Sequence, residues 1–469
     1  MLAAAIEDVH HAVEVIYISD DDMPCASRAA HVQAEAPVIA NIGVESDPAV
    51  IVENSDGTSA VASARPSSHD ITPPRRPATD DDTHVHMLDT CTAASASNAA
   101  NIDDIEGDIV ILNGDHPLIT VDDLKNFISD FREQKLELAV VSVELDHPGE
   151  FGRIIRQANQ LKAIVETKDA SADTLKVKEV NTGIYIAKAE ILKKYLPLIK
   201  NNNSKKEFYL TDLISLAIEN KHRVDVLCSK NKNVAHGVNN QIELAAATRI
   251  LFQMKNAQLL NSGVIIIDPT STYIEDTVII GAGTVIYPGV FIRGKTAVGA
   301  FCVIEPNVFI SDSVIDETVQ IKAGSYLEQA IVHSNAKIGP YARLRPDTEI
   351  GESAHIGNFV ELKKVKFGKN SKAGHLTYLG DAEIGENVNI GCGTITCNYA
   401  ADKKKYKTII GDRVFVGSDS QFVAPVNIGA DSIIASGSTI TKDVPADALA
   451  IARGRQENKM GLAAKFKKK

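Results

Sequence analysis

The sequence lacks several features that would assign it to a common protein class at once. Its 469 residues contain no Trp, aromatic residues make up only 5% of the chain, and the formal net charge is −12. An acidic chain of this composition is not expected to bind nucleic acid, and it is too long and too poor in cysteine for a small disulfide-rich scaffold. At about 150 residues per domain, its length indicates about three structural units.

Cysteine pairs and long apolar runs are also missing. The six cysteines form no Cys-x-x-Cys pair, which favours free thiols in a reducing compartment. Residues 1–6 are apolar, but Glu7 and Asp8 follow at once, so no signal peptide is predicted. No stretch approaches the about 20 apolar residues that a membrane span needs. We therefore expect a cytoplasmic protein without a membrane span.

Basic residues are scarce in the first hundred positions. Residues 1–100 contain no Lys, 4 Arg and 16 Asp or Glu, whereas the rest of the chain carries equal numbers of both signs. Apolar periodicity is weak in this region, and Pro and Ser are frequent in residues 67–79. We predict that residues 1–101 form a separate, partly disordered segment.

From residue 102 onward the pattern becomes that of an α/β protein. Apolar runs at residues 109–112 and 138–143 indicate strands, whereas residues 121–134 and 188–198 indicate helices. This alternation predicts a parallel or mixed sheet in a domain of residues 102–239. We also predict a connecting helix over residues 240–262 and a basic tail over residues 457–469.

Residues 263–456 contain a repeat of six residues. A helix of 3.6 residues per turn cannot keep such positions on one face, whereas a parallel β-helix buries one aliphatic residue per hexapeptide. A Gly often follows the aliphatic residue, as in Ile280-Gly281 and Val416-Gly417, and we expect these glycines to supply unusual backbone angles at corners. The apolar series, which is aliphatic at every position except Phe422, occupies Ile274, Ile280, Ile286, Ile292, Val298, Ile304, Ile310, Ile338, Leu344, Ile350, Ile356, Leu362, Ile410, Val416, Phe422, Ile428, Ile434 and Ile440.

One stretch interrupts this period. Thr396 and Ile410 lie fourteen positions apart, and the polar, basic residues 397–407 lie between them. An excursion from a rigid coil is a suitable place for a functional site, although a tolerated insertion would produce the same pattern.

Five segments of the repeat region carry a family resemblance. They are residues 342–346 (ARLRP), 357–364 (GNFVELKK), 372–381 (KAGHLTYLGD), 389–391 (NIG) and 394–399 (TITCNY). Together with the rest of residues 102–456, they resemble the bifunctional bacterial enzymes that make UDP-N-acetylglucosamine. The resemblance implies an incomplete, Rossmann-like α/β nucleotidyltransferase domain followed by a left-handed parallel β-helix of hexapeptide repeats. It also implies acetyl transfer from acetyl-CoA to glucosamine 1-phosphate, uridylyl transfer from UTP with Mg²⁺, and a homotrimer with sites between subunits.

The resemblance assigns an acetyltransferase site to the repeat region. His375 corresponds to the catalytic base, and an imidazole suits that task because it titrates near neutral pH. Glu361 corresponds to the residue that orients and charges this imidazole. Arg345, Lys363 and Tyr378 would hold the sugar phosphate, which two cations and a hydroxyl can bind. Asn389 would also contact the sugar, and acetyl-CoA would contact Cys392, Asn398, Tyr399, Ser418, Ser436 and Arg453.

The nucleotidyltransferase half matches the family at scattered positions. Asp115, in the stretch LNGDHPL (112–118), would hold magnesium together with Asn239. The UDP-sugar would contact Gly114, Asp115, Gly152, Glu166, Asn181 and Asn239.

The Gly-rich loop that cradles the UTP phosphates in this family has no counterpart near the start of the chain. Such a loop works through clustered backbone N–H groups and a cation, and residues 1–20 contain no Gly, Lys or Arg. We therefore expect an acetyltransferase whose uridylyl transfer is impaired or lost, with residues 1–100 a diverged, replaced or out-of-frame segment. Two alternatives stay open: the fully bifunctional enzyme, and another hexapeptide β-helix protein that is metal-dependent or a non-catalytic scaffold.

Overall fold

The computed structural model describes residues 13–18, 107–201 and 208–467. These residues belong to two compact units, one ending at Ile250 and the other beginning at Leu251. No helix within the described ranges is long and apolar enough to cross a membrane.

The described part of the first unit is built around a mixed sheet of seven strands. The strands are β1 (Val13–Ile18), β2 (Asp108–Asn113), β3 (Leu138–Glu144), β4 (Arg153–Gln157), β5 (Gln160–Val165), β6 (Glu179–Lys188) and β7 (Val224–Ser229). Their order is β1-β2-β6-β3-β7, and β4 pairs with both β5 and β6. Strands β2 and β3 run antiparallel to β6, whereas β1 runs parallel to β2 and β7 parallel to β3. This mixed sheet, together with its helices, is the α/β architecture that the sequence predicts.

Helices accompany this sheet and lead into the second unit. The α-helices of the described ranges are α1 (Val121–Glu133), α2 (Ala189–Tyr195), α3 (Asp212–Glu219) and α4 (Gln241–Asn261). Short 3₁₀ helices occur at Thr167–Asp169, Thr174–Lys176, Leu196–Leu198, Lys232–Ala235 and Leu462–Lys465. Helix α1 begins with a capping box, in which the Thr120 hydroxyl accepts from the Asp123 N–H and the Asp123 carboxylate accepts from the Thr120 N–H. Its buried face includes Phe127 and Phe131, four residues apart as the helical period requires.

Strand β1 lies within the segment 1–101 for which we expected partial disorder. Its six residues pair in parallel with Asp108–Asn113 along their whole length. An apolar run beside a buried strand can extend a sheet by one strand, and the expectation of partial disorder for the segment stays a prediction. The other residues of the segment lie outside the described ranges.

Helix α4 spans the stretch for which we predicted a connecting helix, and the division between the two units falls inside it. Within the second unit, Lys255 Nζ donates to the Asp276 carbonyl oxygen at 2.7 Å, and Asn256 Nδ2 donates to the Thr272 carbonyl oxygen at 2.9 Å. Leu259 joins the apolar core of that unit. These contacts fix the last turns of α4 on the first residues of the repeat region. The predicted domain limits themselves stay predictions.

The second unit is a parallel β-helix, which confirms the fold predicted from the hexapeptide period. Its strands are β8 (Ile265–Ile266), β9 (Tyr273–Ile274), β10 (Ile279–Ile280), β11 (Val285–Ile286), β12 (Phe291–Arg293), β13 (Ala297–Val298), β14 (Val303–Ile304), β15 (Phe309–Ser311), β16 (Val314–Ile315), β17 (Gln320–Ile321), β18 (Tyr326–Glu328), β19 (Ala330–Val332), β20 (Lys337–Ile338), β21 (Arg343–Leu344), β22 (Thr348–Ile350), β23 (His355–Phe367), β24 (Lys372–Ile384), β25 (Asn389–Ile390), β26 (Ile395–Cys397), β27 (Thr408–Ile410), β28 (Phe415–Val416), β29 (Gln421–Val423), β30 (Val426–Ile428), β31 (Ile433–Ile434), β32 (Thr439–Ile440) and β33 (Leu449–Ala450). Most strands pair in parallel with the strand three further along, as β10 does with β13 and β13 with β16, so three sides make one coil.

The apolar series that defines the repeat forms the core of the β-helix. Every position of the series is buried. The parallel register places Ile280 opposite Val298, and Ile292 opposite Ile310, so equivalent residues of successive coils stack inside the coil. One aliphatic side chain per strand therefore fills the interior.

The period shortens to five residues at some corners. Ile310 and Ile315 occupy successive interior positions although they are only five residues apart, and Leu327 and Val332 repeat this spacing. Ile315 lies opposite Val332, so that coil contains 17 residues instead of 18. These two shortened corners explain why the regular series stops at Ile310 and resumes in a shifted frame at Ile338.

The glycines that follow the aliphatic residues have a different role from the expected one. Gly281 and Gly417 do not adopt a left-handed φ. The next coil is what excludes a side chain, because a Cβ at Gly281 would lie 2.5 Å from Ala300 N and one at Gly417 would lie 2.5 Å from Ser436 N. The expectation that these glycines supply unusual backbone angles was therefore wrong for Gly281 and Gly417. It holds for Gly339, whose φ is 92°.

The interruption after Thr396 is a loop within one enlarged coil. Thr396 pairs with a residue 26 positions further along, whereas adjacent coils span 17 or 18 residues. An antiparallel bridge between Tyr399 and Lys405 closes the loop. The Tyr406 N–H also donates to the Asn398 carbonyl oxygen at 2.8 Å. Residues 397–407 therefore form a closed loop that leaves the β-helix and returns to it.

We expect Gly281→Ala to lower the free energy of unfolding of the β-helix by about 1–3 kcal/mol, because the added Cβ forces two stacked coils apart. Gly374→Ala is the matched control, since Gly374 also has an ordinary φ but no atom within 4 Å of its Cβ position. Its effect should stay within about 0.5 kcal/mol. Denaturant unfolding followed by circular dichroism measures both, and equal effects of the two substitutions would contradict the coil-contact explanation.

Candidate functional site

One corner of the β-helix brings together five residues that the sequence analysis selected. We call it the His375 corner, and it comprises His375, Cys392, Ser418, Ser436 and Arg453. Successive coils align these residues, because the Gly437 N–H donates to the Ser418 carbonyl oxygen at 2.8 Å and Arg453 Nη1 donates to the Ser436 carbonyl oxygen at 2.7 Å. The predicted base and four of the residues predicted for acetyl-CoA therefore form one column along the coil stack.

His375 itself lies on β24, opposite Asn358 of the preceding coil. The Leu376 carbonyl oxygen accepts from the Gly393 N–H at 3.0 Å, which places Cys392 of the following coil beside His375. The His375 side chain is exposed, and its imidazole makes no hydrogen bond with the part of the chain that the structure describes. Both ring nitrogens are therefore accessible to a substrate.

Glu361 contacts a different residue from the one that its predicted role requires. It lies opposite Tyr378, and its Oε1 accepts from Arg345 Nη1 at 3.0 Å. Tyr378 is three residues from His375, beyond the left-handed turn at Leu376. Within one chain Glu361 therefore holds Arg345, and its orienting role toward His375 stays a prediction.

A cluster of cations occupies the next corner, at the other end of the same side. We call it the Lys363 corner, and it comprises Arg345, Lys363 and Lys405. Close contact with the Lys405 ammonium, together with the positive charges of Lys405 and Arg345, lowers the pKa of Lys363. Like charges held this close favour the binding of an anion, which would relieve their repulsion. The sequence analysis missed Lys405, although the Lys-rich run in the interrupting loop was the signal.

Two more of the selected residues meet over Gly380. A Cβ at Gly380 would lie 2.6 Å from the Tyr378 Oη and 2.8 Å from the Asn398 Nδ2, so both polar groups lie close to its Cα. The Asn398 Nδ2 donates to Asp381 Oδ2 at 2.5 Å. The Tyr378 hydroxyl and the Asn398 amide are therefore neighbours, beside the Lys363 corner.

Asn389 and Tyr399 lie apart from these groups. Asn389 is exposed on β25, opposite Lys372, and precedes Cys392 of the His375 corner by three residues. Tyr399 is exposed at the base of the loop, where it pairs with Lys405. A groove of about 390 Å³ extends beside this loop, with Lys405 and Tyr406 in its wall.

In the first unit, three residues predicted for the UDP-sugar converge. The Asn181 N–H donates to the Gly152 carbonyl oxygen at 2.9 Å, which joins β6 to the start of β4. A Cβ at Gly152 would lie 3.1 Å from the Glu166 Oε1, closer than an ordinary contact, so a side chain at this position would crowd the carboxylate. Burial raises the pKa of Tyr185, whose hydroxyl accepts from Asn181 Nδ2 at 3.1 Å.

The remaining residues of that half meet at the carboxyl end of β2. Gly114 and Asp115 follow this strand directly, and the Asp115 carbonyl oxygen accepts from the Val238 N–H at 3.0 Å. This contact brings Asn239 next to Asp115. The Asn239 Nδ2 donates to Glu243 Oε2 at 3.2 Å, so the amide nitrogen is engaged and the amide oxygen is the atom that could serve as a ligand.

The chemistry of Asp115 and Asn239 fits a magnesium ion. Mg²⁺ prefers oxygen ligands and usually binds through one or two protein groups, with water and substrate phosphates completing its shell. One carboxylate and one amide oxygen supply such a partial set. Over the described ranges, no group of three or more His, Cys, Asp or Glu could hold a metal ion by itself.

Three family models match the chain. The model described as nucleotidyl transferase matches residues 76–234, and the one described as bacterial transferase hexapeptide matches residues 329–364 and 407–442. The GMPPB C-terminal domain model matches residues 272–345. The first match begins at residue 76, inside the segment that we expected not to resemble the family.

Curated relatives match most of the chain. Bifunctional protein GlmU from Bdellovibrio bacteriovorus is 65% identical over 372 residues, which cover 79% of this chain and 81% of that protein. Bifunctional protein GlmU from Trichlorobacter lovleyi is 46% identical over 380 residues, which cover 81% of this chain and 82% of that protein. A solved UDP-N-acetylglucosamine acyltransferase from Francisella novicida covers 40% of this chain and 67% of its own, at a TM-score of 0.30 and 15% identity, too weak a likeness to carry an argument.

We expect Lys405→Gln to raise the pKa of Lys363 toward its ordinary value, because the substitution removes the nearest positive charge. An NMR titration of isotopically labelled lysine side chains measures this pKa. Lys404→Gln, one residue away in the same loop, is the control and should leave Lys363 unchanged. If Lys405→Gln also left the pKa of Lys363 unchanged, the two ammonium groups would not lie close enough to interact.

Proposed function

Because this chain belongs to the family of bifunctional GlmU proteins, we propose that its β-helix transfers an acetyl group from acetyl-CoA to the amine of glucosamine 1-phosphate. The observation that carries the proposal is the register of the coils. It aligns His375 with Cys392, Ser418 and Ser436 in one column. The candidate base His375 therefore lies at one end of a column of residues predicted to contact acetyl-CoA.

The residues of the His375 corner suit this reaction. The amine nitrogen of the sugar forms a bond to the thioester carbonyl carbon, the carbon–sulfur bond breaks, and coenzyme A leaves as a thiolate. An exposed imidazole without a protein partner can accept the proton that the amine loses and pass it to the thiolate. Arg453, at the other end of the column, offers a cation to the phosphates of coenzyme A.

The Lys363 corner suits the phosphate of the other substrate. Arg345, Lys363 and Lys405 present three cations whose mutual repulsion a phosphate dianion would relieve. Glu361 holds Arg345 in place through its ion pair. Tyr378 and Asn398 lie beside this corner and can donate hydrogen bonds to the sugar and to the thioester region.

The spacing of the two corners supports a site shared between copies of the chain. Gly380 lies opposite Lys363 and is five residues from His375 on β24, with the left-handed turn at Leu376 between them. The two corners therefore lie at opposite ends of one side of the β-helix, where a neighbouring copy can complete either one. We propose a homotrimer in which the His375 corner of one copy faces the Lys363 corner of the next.

Replacing His375 by Ala should lower acetyl transfer by about 10²–10⁴-fold without unfolding the protein, because general-base catalysis contributes that much. A coupled assay of coenzyme A release measures the rate. His333→Ala is the matched control: His333 also lies on the β-helix surface, but its ring nitrogens bind Asp316 at 2.8 Å and Glu349 at 3.2 Å. An unchanged rate for the His375 variant would eliminate it as the base.

The same variant tests whether the site is shared. When His375→Ala and Lys363→Ala chains assemble together, each mixed trimer contains one interface with an intact histidine from one copy and an intact lysine from the next. Co-expression should therefore restore part of the activity that each variant lacks alone. No recovery in verified mixed trimers would place both residues of a site in one chain.

For the first unit we propose a sugar-nucleotide site formed by Gly114, Asp115, Gly152, Glu166, Asn181 and Asn239, with uridylyl transfer impaired. The contacts among these residues support a site for the sugar and for magnesium. Bound Mg²⁺ would neutralise phosphate charge there. The absence of Gly, Lys and Arg from residues 1–20 supports the impairment, because the phosphates would lack a cradle of N–H groups and a cation. The fully bifunctional enzyme remains the competing function, favoured by the names of the relatives.

Given N-acetylglucosamine 1-phosphate, UTP and magnesium, the purified chain should release pyrophosphate very slowly while it still acetylates glucosamine 1-phosphate. Each missing charge-assisted contact to phosphate removes about 1.5–3 kcal/mol of stabilisation. A pyrophosphate assay measures the rate, and Asp115→Asn serves as the blank because it removes the metal-ligand candidate. Rapid release that disappears in Asp115→Asn would show that the chain is fully bifunctional.

A further inference from the structure

Asp381 lies among the residues of the candidate acetyltransferase site, although neither the sequence analysis nor the resemblance gave it a role. It follows Gly380 on β24, where the chain turns the corner with a left-handed φ of 48°. Its Oδ2 accepts a hydrogen bond from Asn398 Nδ2 at 2.5 Å, and Asn398 is almost completely buried. A buried amide held by a carboxylate has one defined orientation.

Asn398 also holds the base of the loop that carries Lys405. Its carbonyl oxygen accepts from the Tyr406 N–H at 2.8 Å, so the same residue joins the two ends of the loop. Its side-chain nitrogen lies beside the Tyr378 hydroxyl over Gly380. The contact with Asp381 therefore determines where the Asn398 side chain points and how the loop base sits on the β-helix.

We propose that Asp381 is a positioning residue for acetyl transfer, which orients the Asn398 side chain toward the acetyl donor through their hydrogen bond. This inference rests on the proposed acetyl transfer. Asp381 does not need to touch either substrate, since it acts through Asn398.

A purely structural role at the corner is the competing explanation, and Asp347 provides the comparison. Asp347 occupies an equivalent corner position two coils earlier, also with a left-handed φ, of 63°. Its carboxylate lies 3.6 Å from Lys364 and makes no hydrogen bond with Asn398. If the loss of any carboxylate at a corner reduced activity, substitution of Asp347 would reduce activity as much as substitution of Asp381.

Two substitutions of Asp381 separate its charge from its acceptor oxygen. Asp381→Asn keeps an oxygen that can accept from Asn398 but removes the charge. Asp381→Gly removes both and tolerates the left-handed φ without strain. Both variants remove the negative charge of Asp381, which opposes the effect of Arg345 and Lys405 on Lys363, so both should lower the pKa of Lys363 further. An effect present only in the Gly variant therefore comes from the lost hydrogen bond.

We expect Asp381→Gly to lower kcat/KM for acetyl-CoA about 10- to 100-fold, mainly through KM, with the KM for glucosamine 1-phosphate little changed. Asp381→Asn should stay within about threefold of the wild type, and Asp347→Gly should match the wild type. In NMR spectra the Asn398 side-chain amide should exchange with solvent faster in Asp381→Gly only.

Normal acetyl-CoA kinetics in Asp381→Gly, while the wild type is active, would overturn the role of Asp381 alone. Equal losses of activity in Asp381→Asn and Asp381→Gly would also overturn that role, because the lost charge would then explain the effect. An equal loss of activity in Asp347→Gly would overturn it as well. A wild-type chain that transfers no acetyl group would instead overturn the proposed function, and the positioning role with it. Unchanged exchange of the Asn398 amide in Asp381→Gly would show that the hydrogen bond does not hold that side chain.

Discussion

The parallel backbone pairing between successive coils is the constraint on which the candidate site in the β-helix depends. Stacked strands must lie about 4.8 Å apart, and each buries one aliphatic side chain, so a slip by one residue would turn the apolar set outward. The register is therefore fixed at 17 or 18 residues per ordinary coil. Residues far apart in sequence, such as His375 and Ser436, are held in one column because every coil between them is held in register.

Close stacking also determines where small residues and irregular segments can occur. At Gly281 the next coil is so near that any side chain would displace it. Inserted residues that leave the coil as a loop do not meet the next coil in this way. The loop of residues 397–407 uses that freedom. The eight additional residues of its coil leave as a closed loop, and the strands on either side keep their partners. This arrangement lets a long flexible residue, Lys405, reach Lys363 from outside the rigid stack.

The sequence predicted the β-helix because interior burial repeats with a period that no helix can match. It could not predict the shortened corners, because left-handed residues occur at five-residue corners, as at Asp312 and Asp381, and equally at six-residue corners, as at Asn307 and Asn335. Site residues were named by resemblance, but their contacts were not. Glu361 reaches Arg345 because the register places it opposite Arg343 of the preceding coil, two residues from Arg345, and this register depends on the exact length of each coil.

The candidate sites of the two units depend on the surrounding chain in different ways. In the β-helix, each candidate side chain projects from a coil that its two neighbours fix, so an intact register places every side chain that one copy would contribute to a shared site. In the first unit, Asp115 and Asn239 meet through one loop contact at the end of β2, and nothing in that contact orients a triphosphate. A metal ion neutralises phosphate charge but does not align the phosphorus with its attacking oxygen, which requires several fixed donors. A metal site alone is therefore not sufficient for nucleotidyl transfer, which also needs fixed donors around the phosphates.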